Sequence, residues 1–313
     1  MSQTNSPLLE SRKETPVPLR DDLAEPGDDI FNPTVGSILL RLVGCPGKVG
    51  LFYAMLRVYA LRSAFLRLMD YFGLLKPKTY HVRLRNGLKV KCEGRTRDFQ
   101  MLDEVFVKRI YDGVLRFVQT GDVVIDVGAN IGLFSLAAAL KGATVHAFEP
   151  LPRNYQILCD NVSLNKCGDK IVLHNVAISY EKGIMDLYVT EADTAGATGY
   201  PVVHPEYYEN GTMRKTVEKL SVECITLADV MRDALDTCSV LKVDCEGAEY
   251  GIFEYIDEET LQRIKRIVVE YHPYPGKLVD DIKEKLRRNN FEVMLLPEIS
   301  LLFASRQATV ARG

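Results

Sequence analysis

From residue 121 onward, short apolar runs alternate with amphipathic stretches of helical length. Strands are predicted at 123–127, 144–148, 170–178, 239–244 and 265–271, with helices at about 131–140, 151–163, 227–235, 247–256 and 277–289. Two last strands fit 291–296 and 301–306. Val123-Val-Ile125 and Ile267-Val-Val269 are apolar at consecutive positions, so helices must cover both faces of these strands. The pattern implies an α/β fold built on a doubly wound, mostly parallel sheet. Residues 179–226 break the rhythm and read as a strand pair framing a Gly- and Thr-rich loop, Glu191 to Arg214. Loops of that length often close over a substrate.

The chain before this core divides in three. Residues 1–33 hold five of the 14 prolines and seven acidic against three basic side chains, which predicts a disordered tail. Residues 34–80 form a basic helical extension: Arg41, Lys48, Arg57, Arg62, Arg67, Lys76 and Lys78 stand against Asp70 alone. With no proline between 46 and 77, residues 49–72 are predicted as one helix rich in aromatics. Such a helix can lie on an anionic membrane, giving a peripheral contact through 34–80, or cap the main domain with its charges in solvent. Arg57, Arg62 and Arg67 recur every five residues and spread around the helix, which favours the cap. Residues 81–120 then supply a hairpin, His81 to Lys91 with a two-residue Asn86-Gly87 turn, and a helix at about 99–118. The domain proper spans 121–313, with its insertion at about 179–226.

Composition narrows the setting. Hydrophobic residues at 47% and charged residues at 26% are ordinary globular usage, and a net charge of −3 offers no basic surface for nucleic acid. Seven cysteines, an odd number without a C-x-x-C pair, argue against a disulfide framework or a structural zinc and for a reducing compartment. The first 30 residues contain no apolar signal core, and no window reaches about 18 uncharged apolar residues. A soluble, cytoplasmic protein is expected, and nothing in the sequence fixes an oligomeric state.

The most informative run is Gly121-Asp-Val-Val-Ile-Asp-Val-Gly-Ala-Asn-Ile-Gly-Leu-Phe-Ser135: a buried strand, a glycine turn, then a helix. It places backbone N–H groups at the carboxyl edge of the sheet, where doubly wound folds bind ligands. The next strand ends at Glu149-Pro150, and a carboxylate there can accept both ribose hydroxyls of an adenosine cofactor. A dinucleotide turn needs G-x-G-x-x-G, but here the second glycine position is Asn130. That argues against a nicotinamide oxidoreductase. An acid before the glycines, Asp126-x-Gly128-x-Asn130-x-Gly132, suits a cofactor with no phosphate and a cationic amino-acid part, S-adenosyl-L-methionine.

Asp126-Val-Gly-Ala-Asn-Ile-Gly132, Phe148-Glu-Pro150, Asn161 with Asn165, and Lys242-Val-Asp-Cys-Glu-Gly-Ala-Glu249 together resemble the FkbM-type methyltransferases. Asp98 with Glu104, Leu227-Ala-Asp229 and Glu270-x-His272 continue the match over roughly 95–306, while residues 1–80 lie outside it. The resemblance implies a seven-stranded, Rossmann-like class I methyltransferase sheet with an antiparallel last strand. It also implies S-adenosylmethionine-dependent O-methylation of a sugar, a glycolipid or a related hydroxylated metabolite. The expected cofactor-binding set is Asp126, Gly128, Asn130, Gly132, Glu149, Asn175, Val176 and Asp244. An N-methyltransferase, or a non-catalytic module docked on a membrane or partner, are the alternatives.

An aliphatic hydroxyl is a poor nucleophile, so a base or a metal would help. Asp244 ends the fourth strand, and Glu270 and His272, two apart, end the fifth on one side. His272 is the expected base, because imidazole titrates near working pH, with Asp244 or Glu270 orienting it or touching substrate. The same three residues could instead hold Mg²⁺ or Mn²⁺, and the spacing does not separate the two uses. Lys242 reads equally as an ion-pair partner, and Glu246 and Glu249 as helix caps. Asp98 and Glu104 could close over the cofactor.

Overall fold

The computed structural model describes residues 54–306 apart from 191–192, 199–207, 210–211, 214–216 and 275. The predicted tail, the first part of the basic extension and parts of the Glu191–Arg214 loop lie outside the described residues.

In chain order the strands are β1 (Thr79–Arg83), β2 (Lys89–Glu93), β3 (Val123–Val127), β4 (Thr144–Phe148), β5 (Ile171–His174), β6 (Ala177–Ser179), β7 (Gly183–Thr190), β8 (Asp193–Thr198), β9 (Tyr208–Glu209), β10 (Thr212–Met213), β11 (Val217–Thr226), β12 (Cys238–Val243), β13 (Ile264–Glu270), β14 (Phe291–Leu296) and β15 (Leu301–Arg306). Seven of them form the main sheet in the order β14-β15-β13-β12-β3-β4-β5. Strands β5, β4, β3, β12 and β13 pair in parallel, and β15 runs antiparallel between β13 and β14. This is the doubly wound, mostly parallel seven-stranded sheet that the sequence predicts. Its strand order reverses beside β3, so the carboxyl ends of β3 and β12 open a crevice there.

Consecutive apolar residues are needed because each strand feeds two cores. Val124, Val240 and Val268 face one, with Leu136, Val145 and Leu158. Ile125, Leu241 and Ile267 face the other, with Phe253 and Leu286. Each such side chain, removed from water, contributes about 1.5–3 kcal/mol.

Four predicted elements differ from those observed. Residues 170–178 divide into β5 and β6, because Asn175 Nδ2 donates to the carbonyls of Glu149 (2.8 Å) and Pro150 (3.1 Å) and turns the chain out of the main sheet. Strand β6 then joins a four-stranded sheet ordered β6-β11-β7-β8, in which β7 and β11 are the predicted strand pair. The intervening loop is partly ordered as β8, β9 and β10.

The single helix at 49–72 is interrupted. Residues 54–58 are helical, Tyr59 bridges Leu84 of the hairpin, and helix α1 spans Leu61–Tyr71. The break follows from Tyr59, whose buried hydroxyl donates to Asp103 Oδ1 at 2.6 Å. Arg67, expected in solvent, is buried, with Nε donating to Asp103 Oδ2 at 2.7 Å.

The hairpin turn has three residues rather than two: Leu84 N–H donates to Leu88 O, and Gly87 at φ +96° takes the left-handed position. The helix at 99–118 is replaced by α2 (Asp98–Leu102), a π-helical turn at Asp103–Val107 and α3 (Asp112–Leu115). Arg109, at φ +56°, ends that π-turn. Among the described residues, no helix is long and apolar enough to cross a membrane.

Candidate active site

A cavity opens at the carboxyl ends of β3, β4, β12 and β13, and the glycine turn after β3 forms its floor. Gly128 sits at φ +73°, and a Cβ there would lie 1.8 Å from the Asp244 carbonyl oxygen. Only glycine lets the two strand ends approach this closely. At Gly132, φ +88°, a Cβ would meet Leu158 Cδ1 at 2.3 Å, so the turn can lie against the helix Pro152–Leu164. Asn130 takes the left-handed conformation at φ +50° between them.

Glu149 ends β4 and lines the cavity. Its Oε2 accepts the Asn130 N–H at 2.8 Å and its Oε1 the Leu151 N–H at 2.9 Å. Burial pushes its carboxyl up to about 7 against the pull of those two donors.

Asp126 is fully buried under the turn and does not line the cavity. Ser135 Oγ donates to its Oδ2 at 2.6 Å, and Lys242 Nζ lies 3.2 Å from Oδ1 as an ion pair outside hydrogen-bond geometry. Lys242 also donates to Gly128 O at 2.8 Å and sits 3.2 Å from Asp244 Oδ2. Burial opposes its charge, but Asp126, Asp244 and Glu270 outweigh burial and raise its pKa. Lys242 therefore ties the strand end, the turn and Asp244 together. Asn175 and Val176 do not line the cavity, while their neighbours Ala177 and Ile178 do.

On the far side stand Asp244, Glu246 and Glu270. Burial and the nearby Asp244 raise the Glu270 carboxyl, whose Oε2 accepts the Tyr111 hydroxyl at 2.9 Å. His272 lies behind this wall. Its backbone N–H donates to Glu249 Oε1 at 2.8 Å, its Nδ1 lies 3.1 Å from the same oxygen, and its Nε2 lies 3.3 Å from Glu246 Oε2. Burial lowers the imidazole pKa, but Glu249 and Glu246 more than reverse this and push it up to about 10. That shift favours the imidazolium at neutral pH, and both ring nitrogens face carboxylate oxygens.

The expected trio is thus only partly assembled. Asp244 and Glu270 face the cavity together, whereas His272 pairs with Glu246 and Glu249. Donor atoms of Asp244, Glu246 and His272 lie within 4.8 Å of one another, a set able to hold a divalent cation, with Glu246 in the place expected for Glu270. Glu104 lines the cavity, whereas Asp98 is buried and accepts the Glu93 N–H at 2.8 Å.

Three functional candidates escaped the sequence reading. Glu246 and Glu249, read as caps, hold His272, and the Lys-x-Asp-x-Glu-Gly-x-Glu run was the signal available for them. Tyr111 carries no such signal; only the fold brings it to Glu270.

A family model described as the methyltransferase FkbM domain matches residues 126–293, more than half of the chain. The chain belongs to the FkbM-domain methyltransferases. It is 28% identical over 211 residues to "Methyltransferase sdnD" of Sordaria araneosa, covering 61% of this chain and 80% of that protein. It is 28% identical over 240 residues to "31-O-demethyl-FK506 methyltransferase FkbM" of Streptomyces tacrolimicus, covering 68% and 89%. A solved structure, methyltransferase FkbM from Methylobacillus flagellatus KT, aligns with a TM-score of 0.43 at 15% identity over 86% of this chain and 60% of that one.

Proposed function

We propose that this methyltransferase uses S-adenosylmethionine to O-methylate a hydroxyl of a sugar, a glycolipid or a related hydroxylated metabolite. The observation that carries the reading is the cavity itself, with Glu149 on one side and Asp244, Glu246 and Glu270 on the other. The lining fits the cofactor: a side-chain-free turn for close approach, a carboxylate for the ribose, and acids suited to a cationic sulfonium and ammonium. When bound, the cofactor would supply an electrophilic methyl group to an acceptor hydroxyl: the C–O bond would form as the C–S bond breaks, S-adenosylhomocysteine would leave, and the hydroxyl proton would pass to a base.

Glu149 would accept the ribose hydroxyls, since each of its oxygens keeps a lone pair beyond its backbone bond. Lys242 holds Asp244 in place. Glu270 takes the acceptor proton at Oε1, because Oε2 is occupied by Tyr111. This moves the base from His272, where the sequence reading put it. His272 keeps its proton and positions Glu246. The relative from Streptomyces tacrolimicus carries an oxygen acceptor in its name, which supports oxygen over nitrogen here.

A divalent cation on Asp244, Glu246 and His272 is the second reading, favoured by the closeness of those donors. The metal would acidify the hydroxyl in place of a base.

Calorimetric titration with S-adenosylhomocysteine tests the cofactor assignment. The wild type is expected to bind, and Glu149→Ala to bind at least tenfold more weakly. Equal affinity in the two would remove Glu149 from the site. Glu270→Gln is expected to keep the affinity and to slow methyl transfer to neutral polyol acceptors by about 10²–10⁴-fold. Chelator-sensitive turnover would favour the metal reading instead, and transfer only to amines would move the acceptor to nitrogen.

A further inference from the structure

Helix α1 carries apolar residues on two sides. Its inward face buries Ser63, Ala64 and Arg67 and packs Leu66 and Met69 on the core, while Leu61 (76% exposed), Phe65 (61%) and, just past its end, Phe72 (64%) lie in solvent. Leu61, Phe65, Leu68 and Phe72 follow the i, i+4, i+7, i+11 spacing of a single helical stripe, and Leu68 is half-buried. Beyond the helix, Gly73 at φ +66° turns the chain, and exposed Leu74 extends the apolar surface. An apolar stripe normally faces the core. Here Tyr59, Arg67 and Asp103 form a polar anchor beneath the helix beside Leu66 and Met69, and a second apolar stripe is left outward.

Charge identifies what the stripe fits. Arg62, Lys76 and Lys78 are exposed around it. The only acid among residues 54–80 is Asp70, 3.3 Å from Arg67 Nη1. Aromatic and leucine side chains accompanied by three exposed cations, with no exposed acid in residues 54–80, match the headgroup layer of an anionic bilayer. A neutral protein groove would give the lysines no partner. The helix has 11 residues, so it lies in the membrane plane rather than crossing it.

We infer that the face formed by Leu61, Phe65, Phe72 and Leu74, flanked by Arg62, Lys76 and Lys78, docks the protein on an anionic lipid surface. The inference stands apart from the catalytic reading, since it uses no residue of the cavity.

The test is co-sedimentation of the full chain with phosphatidylcholine vesicles, with and without phosphatidylserine. Binding is expected only with phosphatidylserine, and it should weaken as salt rises. Phe65→Ser with Phe72→Ser, and separately Lys76→Glu with Lys78→Glu, should each cut binding at least tenfold while leaving the thermal midpoint and S-adenosylhomocysteine affinity unchanged. Three results would overturn the inference: no binding by the wild type, binding indifferent to both double variants, or a solution dimer that the phenylalanine variant dissociates. The last would make a second copy of the chain the occupant of this face.

Discussion

Gly128 shows how narrowly one residue can be constrained. A methyl group there would overlap the Asp244 carbonyl at 1.8 Å, and the clash is with backbone, which cannot swing away. Gly128→Ala is therefore expected to destabilise by more than about 2 kcal/mol through steric overlap and its positive φ, and to abolish S-adenosylhomocysteine binding. Gly168→Ala is the control, because a Cβ there meets nothing within 4 Å. Its unfolding midpoint should match the wild type within experimental error. Equal midpoints for both variants in a urea titration would show that the turn yields after all. This constraint could be read in the sequence as a glycine two positions past a buried acid. The role of that acid could not, because whether Asp126 meets a ligand or a lysine depends on which strand lies beside β3. That neighbour is β12, which brings Lys242 level with Asp126.

The same limit holds one scale up, for α1 and the segment it packs on. Arg67, Tyr59 and Asp103 form one buried network, with bonds of 2.7 and 2.6 Å to the two carboxylate oxygens. It links α1 to the π-turn, where Lys108 N–H donates to Asp103 O across five residues. Removing the acid takes from a buried guanidinium its 2.7 Å partner and leaves it Asp70 at 3.3 Å and the Tyr71 ring, so Asp103→Ala is expected to cost about 3–5 kcal/mol. Tyr59→Phe removes one hydrogen bond to a charged acceptor and should cost about 1.5–3 kcal/mol. Chemical denaturation of both variants measures the difference, and an Asp103→Ala loss below that of Tyr59→Phe would mean that the network does not hold the helix. Helical periodicity predicted a helix over 49–72 but gave no sign of the break at Tyr59, because a tyrosine is as acceptable inside a helix as at its edge. Its partner lies 44 residues away. Strands of the main sheet were legible for the opposite reason: burial on both faces leaves a mark at every position of β3, β12 and β13.

Across the whole molecule, the buried ionisable groups of the site bias stability toward acid. The carboxyls of Glu149 and Glu246 are raised from an ordinary 4.5 to about 7, chiefly by burial. For such a group the folded state binds its proton more tightly than the unfolded chain does. Its ionisation therefore takes stability away as pH rises from the unfolded value through about 7. His272 extends the trend. Burial works against its charge, but Glu249 and Glu246 raise it from 6.5 to about 10. Its contribution is complete below pH 6.5 and is lost as pH climbs through 10, at a slope of up to about 1.4 kcal/mol per pH unit for one proton. Both effects point the same way, so the thermal midpoint should be higher at pH 6 than at pH 9. His272→Gln has no proton to lose and should flatten the fall between pH 7 and 9.5, leaving the Glu149 segment below 7 intact. Scanning calorimetry across that range decides the matter. A wild-type midpoint that falls up to pH 7 and shows no further loss attributable to His272 from there to 9.5, with the wild type and His272→Gln superimposing, would mean that His272 is neutral in the folded protein.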